Sequence, residues 1–186
     1  MTPRIGFIRS KEEIKYLILY IAERLIAPVP FDVIQEITMD DPAVDYFEFA
    51  ECMSYLVQSG HLNCSASDLY SITEKGIRNG RACASAIPYS VRLKVEKLAE
   101  DQNKAIRRAM QVQSKVTKHV GGTYGVELRF NDDYGLTLWR MELTVPDEAS
   151  AVSLAQRFEK EPEKMYNQLI HLLYPSDSDA GKTEEG

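Results

Sequence analysis

Apolar residues at Ile14, Leu17, Ile18, Ile21, Ala22 and Leu25 recur at i, i+3, i+4, i+7, i+8 and i+11, which predicts a helix with one continuous apolar stripe. Ser10-Lys11-Glu12-Glu13 before it is a capping box, in which the Ser10 hydroxyl takes an orphan helix N–H and Glu13 reaches back. Pro28 and Pro30 end that helix, and Pro30 can start the next, which carries Phe31, Val33, Ile34 and Ile37. Asp40-Asp41-Pro42 breaks it. A third helix begins at Asp45, with Glu48 as its N3 acid, buries Tyr46, Phe49, Ala50, Met53, Leu56 and Val57, and is closed by Gly60. The period then becomes two: His61–Cys64, a polar tip at Ser65-Ala66-Ser67, and Asp68–Ile72 form a hairpin pattern. A short helix from Thr73 to about Ala86 stops before Pro88.

The next predicted helix, about Pro88 to Gln111, differs in kind. Val91, Val95, Leu98, Gln102, Ala105, Ala109 and Val112 are spaced 4, 3, 4, 3, 4, 3, a heptad seam. Two alternatives stay open: a helix lying across a C-terminal sheet, or a helix that pairs with a second copy. From Val112 strands return. Val112, Ser114, Val116, Lys118 and Val120 form one face before Gly121-Gly122, and Tyr124, Val126, Leu128 and Phe130 form the next. After Asn131–Gly135, the residues Thr137, Trp139, Met141, Leu143 and Val145 are expected to line the inner face of the last strand. Helices follow after Pro146-Asp147 (Ala149, Val152, Ala155, Phe158) and from Pro162 (Met165, Leu169, Leu172). Residues from Pro175 onward have nothing to bury and are expected to be disordered.

The order Tyr55-Leu56-Val57-Gln58-Ser59-Gly60-His61-Leu62, then Asp68 to Gly76, resembles the recognition helix and wing of a winged-helix domain. More of the chain, residues 12 to 173, resembles a bacterial family of uncharacterised proteins, known as a domain of unknown function and related to winged-helix transcription regulators. That resemblance rests on Glu13-Ile14-Lys15-Tyr16-Leu17-Ile18-Leu19-Tyr20, on Asp45-Tyr46-Phe47 leading to Leu56-Val57-Gln58-Ser59-Gly60, on Thr73-Glu74-Lys75-Gly76, on Ile87-Pro88, and on Leu143-Thr144-Val145-Pro146. It implies an α+β fold: a winged helix-turn-helix domain (1–86), a long linking or dimerising helix (87–111), and a C-terminal three-stranded antiparallel sheet with two helices (112–174). It implies no activity and supplies no functional residues.

Charge changes this picture. The net of −6 over 186 residues is uneven. Residues 1–74 hold 5 basic against 12 acidic side chains, residues 75–119 hold 11 against 3, and residues 120–186 hold 6 against 13. Between Asp45 and Glu74 there is no lysine or arginine. A DNA reader built on the third helix would offer Glu48, Glu51, Tyr55 and Gln58 to base edges, with repulsion between carboxylates and phosphates. The cations would come from Lys75, Arg78 and Arg81 on the following helix and from Arg107 and Arg108 on the long one. The same basic block could instead neutralise the acidic segments on either side.

Other chemistry finds little support. Cys52, His61 and Cys64 offer neither the close pairs nor the four ligands of a structural zinc site. His61, His119 and His171 are isolated, and no nucleophile sits in a recognisable elbow, so neither catalysis nor a cofactor is expected. Tyr124, Trp139 and Phe158 could line a ligand pocket, although aromatics at these positions are more often core. Three unpaired cysteines and the lack of a long apolar run place the protein in the cytoplasm, away from membranes. The expected function is a dimeric, transcription-regulator-like protein binding double-stranded DNA. Its alternative is a winged helix serving protein assembly. Any small-molecule effector stays unspecified.

Overall fold

The computed structural model describes residues 6–174, so the tail expected from Pro175 onward lies outside the described residues. The protein is α+β, with seven α-helices and two three-stranded antiparallel sheets among the described residues. It divides into two compact units that meet between Ile106 and Arg107.

The first unit opens with α1 (Lys11–Arg24). The Ser10 hydroxyl accepts from Glu13 N at 3.3 Å, and Glu13 accepts from Arg9 N at 2.7 Å, one residue before the expected partner. Strand β1 (Val29–Pro30), α2 (Phe31–Thr38) and α3 (Tyr46–Gln58) follow. The Asp45 carboxylate caps α3 by accepting from Phe47 N at 2.8 Å and Glu48 N at 3.4 Å. Then come β2 (Leu62–Cys64), β3 (Leu69–Ile72) and α4 (Glu74–Cys83). The sheet order is β1–β3–β2, with Val29 opposite Tyr70 and Leu62 opposite Ile72. Strand β1 has no alternation to betray it: it is two residues long and ends in a proline.

Leu17, Ile18, Ile21, Ile34, Phe49, Met53, Leu56 and Leu62 are enclosed in one core, the predicted stripes meeting as their spacing requires. On α3 the structure corrects the expected inner face. Tyr46 is exposed and Cys52 is buried in its place, with its thiol against Lys11 O. Burial pushes the Cys52 thiol pKa up. None of the three cysteines forms a disulfide.

Helix α5 (Tyr89–Gln111) packs on this core through Val91, Val95, Ala99 and Asn103. The buried row advances four residues at a time and does not follow the heptad seam. Val91 and Val95 are thus committed to the chain's own interior, Leu98 is partly buried against it, and Ala105 and Ala109 face solvent. Asn103 caps the end of α1, donating to Arg24 O at 2.7 Å and accepting from Ile26 N at 3.0 Å. Tyr20 O–H donates to Glu96 at 2.6 Å, and burial together with that bond pushes its pKa up to about 12.

The second unit contains β4 (Val112–Lys118), β5 (Tyr124–Asn131) and β6 (Thr137–Val145) in that spatial order, then α6 (Glu148–Lys160) and α7 (Pro162–Leu173). Val126, Leu128 and Phe130 of the central strand are buried against Ala151, Ala155 and Phe158 of α6. Because α6 lies chiefly over β4 and β5, the edge strand β6 is only partly covered. Trp139, Met141 and Val145 are half-buried, whereas Thr137 and Leu143 are exposed, so the expected inner face of this strand is incomplete.

Candidate nucleic-acid interface

The side chains expected to meet DNA fall into three places. The first is the outer face of α3. Glu51 and Tyr55 are exposed, Glu48 is half-buried, and Gln58 is exposed with its amide donating to Ser54 Oγ at 3.3 Å. This face has cations that the linear count of residues 45 to 74 could not show, because they come from α1. Lys11 Nζ stands 2.6 Å from Glu51 Oε2, and Lys15 Nζ lies 4.6 Å from the centre of the Tyr55 ring. The Glu51 carboxylate raises the Lys11 pKa. One carboxylate that would repel phosphate is therefore partnered. Lys11 and Lys15, four apart on one face of α1, were visible in the sequence; that this face lies beside α3 was not.

The second place is the junction of α3, the hairpin and α4. Lys75 Nζ donates to Ser59 O at 2.6 Å, which holds its charge at the C-terminal end of α3. Thr73 accepts from Gly76 N at 3.1 Å, and its hydroxyl lies 2.8 Å from Gly60 O and 3.0 Å from His61 O. His61 sits between Ser59 Oγ, 2.8 Å from Nδ1, and Asn79 Nδ2, 2.7 Å from Nε2. A neutral imidazole carrying its proton on Nδ1 satisfies both bonds. Burial, then the Lys75 charge, hold its pKa below the ordinary 6.5. Further along α4, Arg78 is 3.9 Å from Glu74 and Arg81 is 2.6 Å from Glu23. The hairpin tip is tied by Ser65 Oγ, which accepts from Ser67 N and Leu69 N, and Asp68 takes a φ of 55° there.

The third place is the basic stretch of α5, where three of its six cations, Lys94, Lys104 and Arg108, are paired within the chain. Lys94 pairs with Asp40 at 3.3 Å, and Lys104 with Asp101 at 3.1 Å and Glu100 at 3.7 Å. Arg107 and Arg108 belong to the second unit. Arg108 pairs with Glu163, whose pKa it lowers, while Arg107 is exposed beside Met110 and Tyr134. The block rich in cations is thus neutralised only in part, through Arg78, Arg81, Lys94, Lys104 and Arg108. Exposed ion pairs of this kind are weak, on the order of 0–1 kcal/mol, so a phosphate can exchange for the carboxylate partner.

Among the described residues no group of three or more His, Cys, Asp or Glu is placed to hold a metal ion. No helix among them is long and apolar enough to cross a membrane. Tyr124, Trp139 and Phe158 belong to the second core, Trp139 standing edge-on to Phe158 at 5.4 Å.

A protein of mixed α+β class, with an exposed helix beside a short hairpin, is what the structure defines. The chain matches a family described as a domain of unknown function (DUF4364) over residues 14–173, and it belongs to that family. No curated protein and no solved structure matches it.

Proposed function

We propose that the first unit is a winged-helix domain and that the protein is a dimeric, cytoplasmic, transcription-regulator-like protein that binds double-stranded DNA. The observation that carries this is the element order α1–β1–α2–α3–β2–β3 with the sheet order β1–β3–β2, which leaves α3 exposed next to a hairpin wing. A helix so presented can enter a major groove. Gln58 and Tyr55 would then touch base edges, and Glu51 would accept from a cytosine amino group. Lys11, Lys15 and Lys75, which border the helix, and Arg78, three residues further along α4 than Lys75, would contact phosphates. Gln102, Ala105 and Ala109, on α5 away from the buried row, would serve self-association.

The test is retention of random or genomic duplex by the native protein at about 50 mM salt, where binding driven by counterion release is strong. Retention that falls steeply as salt rises is expected; no retention overturns DNA binding. A second function is favoured by one specific observation. Phe47, at the start of α3, is 78% exposed and stands edge-on to exposed Tyr46 at 5.6 Å, on the helix that also carries Glu48 and Glu51. Exposed aromatics suit a protein interface, and if duplex is not retained, an assembly module built on this helix takes first place.

A further inference from the structure

A cavity of about 390 Å³ lies wholly within the first unit. Its floor is Leu17, Ile37, Val91 and Val95, all nearly inaccessible to solvent, and Phe7 and Pro42 form walls. The size falls within the roughly 300–1,000 Å³ typical of small-molecule sites, and the lining is overwhelmingly apolar. Its few polar groups decide what can enter. Thr38 Oγ1 donates to Ile34 O at 2.7 Å. The Asp41 carboxylate, itself buried, accepts from Ile8 N at 3.1 Å and Ala43 N at 3.0 Å. Ser90 Oγ donates to Gly6 O at 3.2 Å and lies 3.4 Å from Gly6 N. Each of these is engaged within the chain.

What remains is the pair at the rim, Lys94 Nζ and Asp40 Oδ2, 3.3 Å apart. The pair is electrically closed, yet the ammonium has three N–H donors and the carboxylate has a second oxygen. A charged ligand would have to bring its own charge out of water beside an apolar cavity. A neutral polar group can join the pair by accepting from Lys94 or donating to Asp40, at no cost in charge.

We propose that this cavity binds a small uncharged amphiphile, an apolar body with a single hydroxyl, amide or non-basic N–H group seated at the Lys94–Asp40 pair. Binding in this cavity does not require DNA. Because Asp41 ties the segment before α1 to the turn that leads into α3, an occupant would brace the approach to α3.

The experiment uses the full chain and two probes that share one body. N-Phenyl-1-naphthylamine is uncharged, and 8-anilinonaphthalene-1-sulfonate is its anionic counterpart. Saturable one-site fluorescence enhancement is expected with the first, and binding at least about tenfold weaker with the second, the effect of bringing an unpaired charge to an apolar cavity. Octan-1-ol should displace the neutral probe and octylammonium should not. On the wild-type protein, amide resonances of Thr38, Val91 and Val95 should move on titration with the neutral probe. Val91→Phe, which fills the floor, should remove the site. Absence of saturable binding, resonance shifts elsewhere in the chain, or equal or tighter binding of either charged compound overturns the proposal, and the wild-type titration decides this even if the filled variant does not fold.

Discussion

The ammonium of Lys11 meets the carboxylate of Glu51 at 2.6 Å, although the two are 40 residues apart in the chain. The contact joins the first turn of α1 to the middle of α3 and places a cation on a face whose own sequence contains none. If α3 meets DNA, the two partners act in opposite directions. Glu51→Gln should strengthen non-specific duplex binding by removing repulsion and freeing Lys11. Lys11→Gln should weaken it and lower the log–log salt slope by roughly 0.9, one phosphate contact. Titrations of both variants over a range of salt check this; equal slopes for Lys11→Gln and wild type would exclude a phosphate contact there.

Gly76 shows a tighter constraint. A Cβ at this position would run into the carbonyl oxygen of His61 and come within 2.8 Å of Ile72 Cγ1. Backbone cannot step aside as a side-chain tip can, so Gly76→Ala should cost on the order of 3 kcal/mol by overpacking. Gly80 is a fair control on the same helix, because a Cβ there meets Leu19, with its Cβ at 3.2 Å and its backbone no nearer than 3.8 Å. Gly80→Ala should stay within about 1 kcal/mol of wild type, since the helix propensity gained offsets the mild crowding. Denaturant midpoints of the two variants decide it; similar losses would mean that the His61 carbonyl does not set the limit.

How far the sequence revealed this depended on whether a signal was local. The caps at Ser10, Asp45, Thr73 and Asp147 stand where the residue types place them, because an N-cap is settled within four residues. The apolar stripes of α1 and α3 and the alternation of β5 were equally legible. Three features were not. The strand Val29–Pro30 is shorter than any period. The inner row of α5 is hidden in the sequence because Ala99 and Asn103 are weak hydrophobic markers, whereas Leu98 and Gln102 keep a heptad in step. The site chemistry suffered most: the cations facing α3 lie on another helix, and the Lys94–Asp40 rim joins residues 54 apart. Such relations follow only from packing.

His61 makes acid stability measurable. Its pKa is held below 6.5 by burial and then by Lys75. Below that ordinary value the unfolded chain binds more protons than the folded one, so this residue's contribution to stability is present above pH 6.5 and is lost as pH falls through it. Thermal unfolding between about pH 7 and about pH 5.5 should show the wild type losing stability faster than His61→Gln, whose side chain does not titrate. Parallel curves would show that the imidazole is not the titrating group.

The single tryptophan reports on the second unit alone. Trp139 stands edge-on to Phe158, a fully buried residue of α6. Phe158→Ala should destabilise this unit by about 3–5 kcal/mol, the usual cost of deleting a buried phenylalanine. Tryptophan emission should then shift at lower denaturant than in wild type. An unchanged fluorescence transition would contradict the packing described.

Self-association and core packing separate cleanly on α5. Val95 is 2% exposed in the first core, so Val95→Ala should lower stability by about 1–3 kcal/mol and leave the sedimenting mass unchanged. Ala105 and Ala109 face solvent one turn apart, where a second copy could lay its own α5. Ala105→Glu together with Ala109→Glu should convert a dimer to a monomer, because paired helices cannot bury four carboxylates without partners, while the unfolding midpoint measured on dilute monomer stays close to wild type. Sedimentation of the native protein gives the baseline. A single species of 21.1 kDa at micromolar concentrations, before any substitution, would mean that this face of α5 is simply solvated and that the protein meets its target alone.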